Sequence, residues 1–441
     1  MTSTLGKSSL FALSPEQQLY DRLNFPQCRR LRSGLTIIAE QLPVEAVNLS
    51  LWLNVGSAVE SDEINGMAHF LEHMIFKGTE QLAAGEFERR IEERGAVTNA
   101  ATSQDYTHFY LTSAPQDFAL LAPLQFDVVF NAKIPDQAFE RERGVVLEEI
   151  RRSQDNPRRR TFYRSMELAF DVLPYRRPVL GPAGVIENLI PQQMRDFHKS
   201  FYVPSNITAV AVGNLPVEEL LDIVENSFTQ ISQQKEDSEV VVPANDVYSP
   251  EPVFEEIVRR EYVDESLQQA RLVMVWRVPG IAELEQTYAL DVLANILSGG
   301  RTSRLVQDLR EKRGLVSQIG VSNMTHRHQG VFYISAQLPV ENLPIVEETI
   351  VEHIRKIQED FVTEFEISRV RTQVANRFVF GNEAPSDRAG LYGYYQSMMG
   401  DLGPALSYPA RIQALDAVDL QDAARRFLSP TAYGVVVQRP Q

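Results

Sequence analysis

Three side chains within five positions carry the clearest chemistry in this sequence. His69, Glu72 and His73 stand in the segment GMAHFLEHMIFKGT. On a helix, at about 100° per residue, His73 lies about 40° round from His69 and Glu72 about 60° the other way, so all three share one face. Two imidazoles four residues apart can bind a single metal ion. A carboxylate between them is placed to take a proton from a metal-activated water. The spacing HxxEH reverses the commoner HExxH zinc motif. The alternative, an exposed histidine-rich turn, is opposed by Phe70, Leu71, Met74 and Ile75, which mark the helix as buried. An unpaired His/Glu cluster is costly in such a setting. A catalytic zinc needs three protein ligands and an open position, so a further ligand must come from elsewhere in the chain.

The elements around the motif can be read from periodicity. Val47, Leu49, Leu51, Leu53 and Val55 alternate with Asn48, Ser50, Trp52 and Asn54, which predicts a strand with one buried face. Gly34–Glu40 reads as its hairpin neighbour, Gly66–Phe76 as a helix, and Val97–Gln104 with His108–Ser113 as a second strand pair. Asp117–Phe130 and Asp136–Arg152 read as helices, the latter following Pro135.

Residues 1–20 are polar and aperiodic and are expected to form a flexible arm. Residues 232–252, rich in charge, serine and proline, are the expected linker between domains at 21–231 and 253–441. The two parts share a weak internal repeat. ARLVMVW (270–276) matches NLSLWLNV, and HFYLTSAPQDFALLAPL matches VFYISAQLPVENLPIV. Phe139-Glu140 and Phe365-Glu366 each open a long helix, and MRDFHKSFYVPSNITAVAVGNL resembles LQDAARRFLSPTAYGVVVQRP. The fold class expected is α+β: two homologous domains, each a mainly antiparallel sheet with helices packed on one side.

Composition narrows the function. The 441 residues include one cysteine, Cys28, which excludes an intramolecular disulfide and a thiolate metal cluster and favours a reducing, cytoplasmic compartment. With 43 Lys+Arg against 59 Asp+Glu, the net charge of −16 opposes a general nucleic-acid binder. No apolar run reaches the length of a membrane span, so neither nucleic acid nor membrane is an expected partner.

HFLEHMIFKGT, with GAVTNAATSQDYTHFY and ERERGVVLEEI downstream, resembles the pitrilysin/insulinase-type zinc peptidases, in particular their processing-peptidase branch. The resemblance runs from about residue 25 to the end of the chain. It implies one Zn2+ per chain held by His69, His73 and a glutamate on a later helix, which maps to Glu149. Glu148 competes for that role, but the helical wheel puts Glu149 on the stripe of Glu142, Val145 and Val146 and turns Glu148 about 100° away. Glu142 matches a further family carboxylate that supports a ligand from behind. Glu72 would act as the general base and return its proton to the leaving amine. Asn99 and Ala100 match the strand on which a peptide docks by β-addition, and Arg310 matches an arginine that reaches substrate. The family's tyrosine seven residues after that arginine is replaced by Ser317.

The resemblance therefore implies a zinc metalloendopeptidase acting on short or unfolded peptides, assembled as a clam-like homodimer or as a heterodimer with a related subunit. The departure at Ser317 leaves two further readings open, a subunit needing a partner for substrate binding and a non-catalytic peptide-binding or structural relative. The net charge favours basic peptides. Aligning Gly78 with Gly299 sets Leu290, Leu293 and Ala294 opposite His69, Glu72 and His73, so the second copy lacks the motif. Ser298-Gly299-Gly300 lacks the context of a phosphate loop. His326 and His328 are expected to be solvated, His108 structural, and Arg158, Arg159 and Arg160 a solvated basic face.

Overall fold

Two sheets, one from each half of the chain, organise the computed structural model, which describes residues 25–232 and 248–441. The expected arm and residues 233–247 of the expected linker lie outside those residues. The first half runs β1 (Gln27–Arg30), β2 (Thr36–Gln41), β3 (Val47–Leu53), α1 (Met67–Ile75), α2 (Glu86–Glu92), β4 (Val97–Thr102), β5 (Thr107–Ser113) and α3 (Pro115–Phe130). It continues with α4 (Asp136–Asp155), α5 (Pro157–Ala169), α6 (Ala183–Asn188), α7 (Pro191–Phe201), β6 (Ile207–Gly213) and α8 (Val217–Ser232). The second half holds β7 (Val258–Val263), β8 (Ala270–Pro279), α9 (Tyr288–Ser298), β9 (Gln318–Met324), β10 (Gln329–Leu338) and α10 (Leu343–Glu359). It ends with α11 (Glu364–Phe380), α12 (Pro385–Met399), α13 (Gly403–Ala414), α14 (Ala417–Phe427) and β11 (Gly434–Arg439).

The sheet orders, β1-β2-β6-β3-β5-β4 and β7-β11-β8-β10-β9, superpose strand for strand once β1 is set aside. Both are antiparallel except for one parallel pair each, β2 with β6 and β7 with β11. The repeat seen in the sequence is thus one α+β unit used twice. Gly34–Glu40 is not the hairpin neighbour of β3, because β6 lies between them. The run ITAVAVG is buried at every position, and such a strand needs neighbours on both sides.

Strand β3 also departs from its expected single buried face, since all seven of its residues are buried. Asn48 tolerates this by donating to Thr112 (2.9 Å), and Ser50 by donating to Asn48 (2.9 Å). The second face is closed by the other half of the chain. Ile38, Trp52, Val210 and Val212 pack against Ala389 and Tyr392 of α12. In return, Met166 and Leu168 of α5 pack on Val273, Val275, Val331 and Val436 of the second sheet. Helices therefore cover both faces of each sheet, one of them borrowed in each case. The borrowed helices occupy equivalent places in the repeat, α5 after α4 and α12 after α11.

Small residues allow these crossings. A Cβ on Gly393 of α12 would lie 2.1 Å from Nε1 of Trp52, and one on Gly434 of β11 would lie 2.1 Å from Cδ2 of Leu168. A buried ion pair, Arg388 to Glu40 at 2.6 Å, anchors α12 to the first sheet. The end of the expected linker is packed as well. Glu251 accepts hydrogen bonds from the backbone N–H groups of Asp171, Val172 and Leu173 and pairs with Arg277 at 3.0 Å. No helix among the described residues is long and apolar enough to cross a membrane.

If α12 rests on Trp52 as described, Gly393→Val forces the helix off the sheet. The loss expected is about 1–3 kcal/mol of stability, read as a lower urea midpoint. An unchanged midpoint would show that the contact does not hold the halves together.

Candidate metal centre

Helix α1 begins at Gly66, whose φ of 99° is a left-handed conformation, in a place where a side chain would strike the carbonyl oxygen of Leu180 at 2.6 Å. The buried carboxylate of Glu60 clamps this start. It accepts from Gly66 N (2.8 Å), Ala68 N (2.7 Å) and Asn65 Nδ2 (2.8 Å), satisfying donors that the helix leaves free. Burial pushes the Glu60 carboxyl up to about 7, while these donors pull it the other way. Met67, Ala68, Phe70, Leu71, Met74 and Ile75 are fully buried, so the helix cannot rotate without losing its core contacts.

Phe70 stacks on Phe139 of α4 with ring centroids 4.5 Å apart, and that contact sets the carboxylates of α4 against the imidazoles of α1. Glu149 Oε2 lies 3.4 Å from Nε2 of His69 and 3.5 Å from Nε2 of His73. One ligand atom from each of the three residues falls within 4.8 Å of the others. Two donors each about 2.0–2.1 Å from a tetrahedral zinc are about 3.3–3.4 Å apart, which is the separation that Glu149 Oε2 keeps from each imidazole. The imidazoles of His69 and His73 hold the Glu149 carboxyl well below the usual carboxylate range. Glu148 faces away and pairs with Arg151 and Arg152. Val145 is 51% exposed rather than part of the inward stripe. It lies about 40° beyond Glu149 on the wheel, past the edge of the buried arc.

Glu142 sits behind His73. Its Oε1 is 3.0 Å from His73 Nδ1, and its Oε2 is 2.9 Å from Lys77 Nζ. Burial raises the Glu142 carboxyl, but Lys77 and His73 outweigh it and hold the pKa below its ordinary value. With Nδ1–H donating to Glu142, Nε2 of His73 keeps its lone pair for a metal. Glu72 projects from the same face of α1, and its Oε2 accepts from Thr102 Oγ1 at 2.5 Å.

His69, Glu72, Glu149 and Arg310 line one cavity of about 1140 Å³ between the halves. Its walls come from α1, β4, α4 and α5 on one side and from β8, β9 and β10 on the other. Arg310 lies on a π-helical turn, Val306–Lys312, and pairs with Glu311 at 2.7 Å. Asn99 and Ala100 lie on β4, which is the edge strand of its sheet, but the cavity is lined by the next residues, Ala101 and Thr102. Ser317 is outside the wall and donates to Gln269 at 2.8 Å. His326 is not solvated, since it stacks on Tyr175 at 4.3 Å in a loop where Arg327 N donates to Asp105 across the halves. His108 stacks on Trp52 at 4.5 Å, a packing role.

Thr102, Lys77 and Glu60 escaped the sequence reading. Thr102 shares the face of Ala100 by strand alternation, and Lys77 follows His73 by one helical turn, so both had a local signal. Glu60 acts through a turn that no periodicity marks.

Two family models match the chain, "Insulinase (Peptidase family M16)" over residues 36–183 and "Peptidase M16 inactive domain" over residues 188–374. Zinc protease PqqE of Helicobacter pylori is 25% identical, over 99% of this chain and 98% of its own. An uncharacterized zinc protease of Rickettsia bellii is 27% identical, over 92% and 96%. Among solved structures, a protease from Helicobacter pylori superposes with a TM-score of 0.87 at 25% identity, covering 95% of this chain and all of its own (100%). A peptidase M16 inactive domain from Pseudomonas fluorescens shares the fold, with a TM-score of 0.81 at 19% identity, over 95% and 98%.

Replacing Glu142 by Gln should weaken zinc binding about 10–100-fold, measured against a chromophoric chelator, if its carboxylate orients His73. Glu60 makes a separate prediction. A carboxyl raised to about 7 in the fold contributes stability that is present below its ordinary pKa of 4.5 and is lost as pH rises through 7. The stability of the wild type relative to Glu60→Gln, from urea titrations, should therefore fall between those two values. A pH-independent difference would contradict it.

Proposed function

As the chain belongs to the M16 insulinase family of peptidases, we propose that it is a zinc-dependent metalloendopeptidase hydrolysing peptide bonds in short or unfolded peptides. The observation that carries this reading is the approach of His69 Nε2 and His73 Nε2 to Glu149 Oε2, at the wall of a cavity that His69, Glu72 and Glu149 line. Bound there, a zinc ion would supply Lewis acidity, lowering the pKa of water to about 7 and polarising the scissile carbonyl. Glu72 takes a proton from the attacking water and passes it to the amine nitrogen as the C–N bond breaks. The Thr102 hydroxyl holds one oxygen of that carboxylate, which leaves the other free to work. Glu142 and Lys77 fix the ring of His73. A cavity of about 1140 Å³ suits a segment of extended peptide and is far too small for a folded domain.

A second reading, that another chain completes the substrate site, is favoured by Ser317. The residue standing where the family has a tyrosine bonds to Gln269 and lies outside the cavity wall. Activity of the purified chain measured together with its mass in solution separates the two. Cleavage by a monomer or homodimer supports the first reading. Cleavage only after a related subunit is added supports the second.

For the chemistry itself, Glu72→Gln should keep about one zinc per chain by metal analysis while cleavage falls by about 10²–10⁴-fold, the usual contribution of a general base. Absence of zinc from both proteins, or cleavage indifferent to the substitution, would overturn the metallopeptidase reading.

A further inference from the structure

The charge of the cavity runs opposite to the charge of the chain. The protein carries −16 overall, yet four arginines line the cavity, namely Arg158, Arg159, Arg271 and Arg310. The carboxylates in the wall, Glu72 and Glu149, are those assigned to the metal centre. Arg160, next in the run, is neutralised by Asp264 at 2.5 Å, and Arg310 shares Glu311 with Arg301. Arg158, Arg159 and Arg271 have no carboxylate partner among the described residues, and the Nε of Arg271 is buried without any hydrogen bond.

Strand register shows what surrounds Arg271. It stands opposite Gln337 of β10, which stands opposite Gln318 of β9. Residues directly opposite share a face, so one guanidinium and two amides form a row across three strands. The next row on that face, Val273, Ser335 and Gly320, also lines the cavity. Arg158 approaches from the start of α5. Burial and then the like charge of Arg158 hold the Arg271 guanidinium below its ordinary pKa. Two unpaired like charges facing a partly buried wall are relieved by a bound anion that bridges them. In a cavity that also holds a hydrolytic centre, that anion is a carboxylate of the substrate.

We propose that this wall selects peptides bearing aspartate or glutamate side chains, whose carboxylates bridge Arg158 and Arg271, rather than the basic peptides that the net charge of the chain suggested. The inference rests on the metallopeptidase reading and names its substrate class.

The test uses internally quenched peptides of one length and one central sequence, flanked by Glu, Gln or Lys, each with a free or an amidated C-terminus. The zinc-loaded full chain should cleave the Glu peptide with a kcat/KM about tenfold above the Gln peptide, and the Lys peptide below both. High salt should compress that order, because the pairing is partly exposed. Arg158→Gln, at an exposed position, and Arg271→Gln should each bring the Glu-to-Gln ratio toward one. A preference for Lys, a ratio untouched by both variants, or a preference abolished by amidating the C-terminus would overturn the proposal. If the chain alone cleaves no peptide, the single-chain peptidase reading fails on its own. Fluorescence anisotropy of a labelled, uncleaved Glu peptide on the Glu72→Gln protein then decides the recognition separately. Binding weakened by Arg271→Gln supports it, and equal binding of the Lys peptide overturns it.

Discussion

The site depends on the contact between α1 and α4. The three side chains that could hold a metal come from two helices whose sequences lie far apart, and nothing local holds them together. Phe70 on Phe139 sets the distance, and the buried residues of α1 set the rotation. A helix slipped by one residue turns its side chains by about 100°, enough to remove both imidazoles from Glu149. Glu60 matters for the same reason. By satisfying the first donors of α1 it fixes where the helix starts, and therefore which residues share a face.

Much of this was legible in the sequence, because the features concerned repeat at short range. The HxxEH face, the β4–β5 pair, the long helix α4 and the doubled unit each show a period of 2 or 3.6 or a similarity between segments. What could not be read is what depends on the other half of the chain. Asn48, Ser50 and Trp52 alternate with apolar residues and read as a solvent face, but α12 covers them. The polarity of Asn48 and Ser50 is satisfied within the sheet, by Thr112 of the neighbouring strand and by each other. His326 looked solvated for the same reason, since Tyr175 and Asp105 arrive from the first half. Glu149 came from a family resemblance, supported by its place on the wheel. Arg271 stayed silent, because a lone arginine inside an apolar strand gives no sign of which cavity its face will line.

Helix exchange also gives the cavity its two-sided character. Since α5 belongs to the first half but lies on the second sheet, its first turn carries Arg158 and Arg159 to the rim between the halves. The short passage from α4, which bears Glu149, to α5 joins the two sides of the cavity. Asn156 marks it, its side chain accepting from the backbone N–H groups of Arg158 and Arg159.

Duplication explains why the two halves of the cavity differ in chemistry. Helix α9 stands where α1 stands in the first copy, and the positions equivalent to His69, Glu72 and His73, namely Leu290, Leu293 and Ala294, are buried in the second core. Apolar residues there stabilise the second unit, whereas two histidines and a glutamate would each cost desolvation unless a metal or a partner met them. Freed from holding a metal, the second copy can present the outer face of β8, β9 and β10 to the cavity as a polar wall. The first copy bears the opposite constraint. Its α1 keeps a charged face inside a packed domain, made tolerable by Glu149, Glu142 and Lys77 around the imidazoles. One sheet-and-helix unit thus carries a His/Glu face on the helix of its first copy and an apolar face on the equivalent helix of its second.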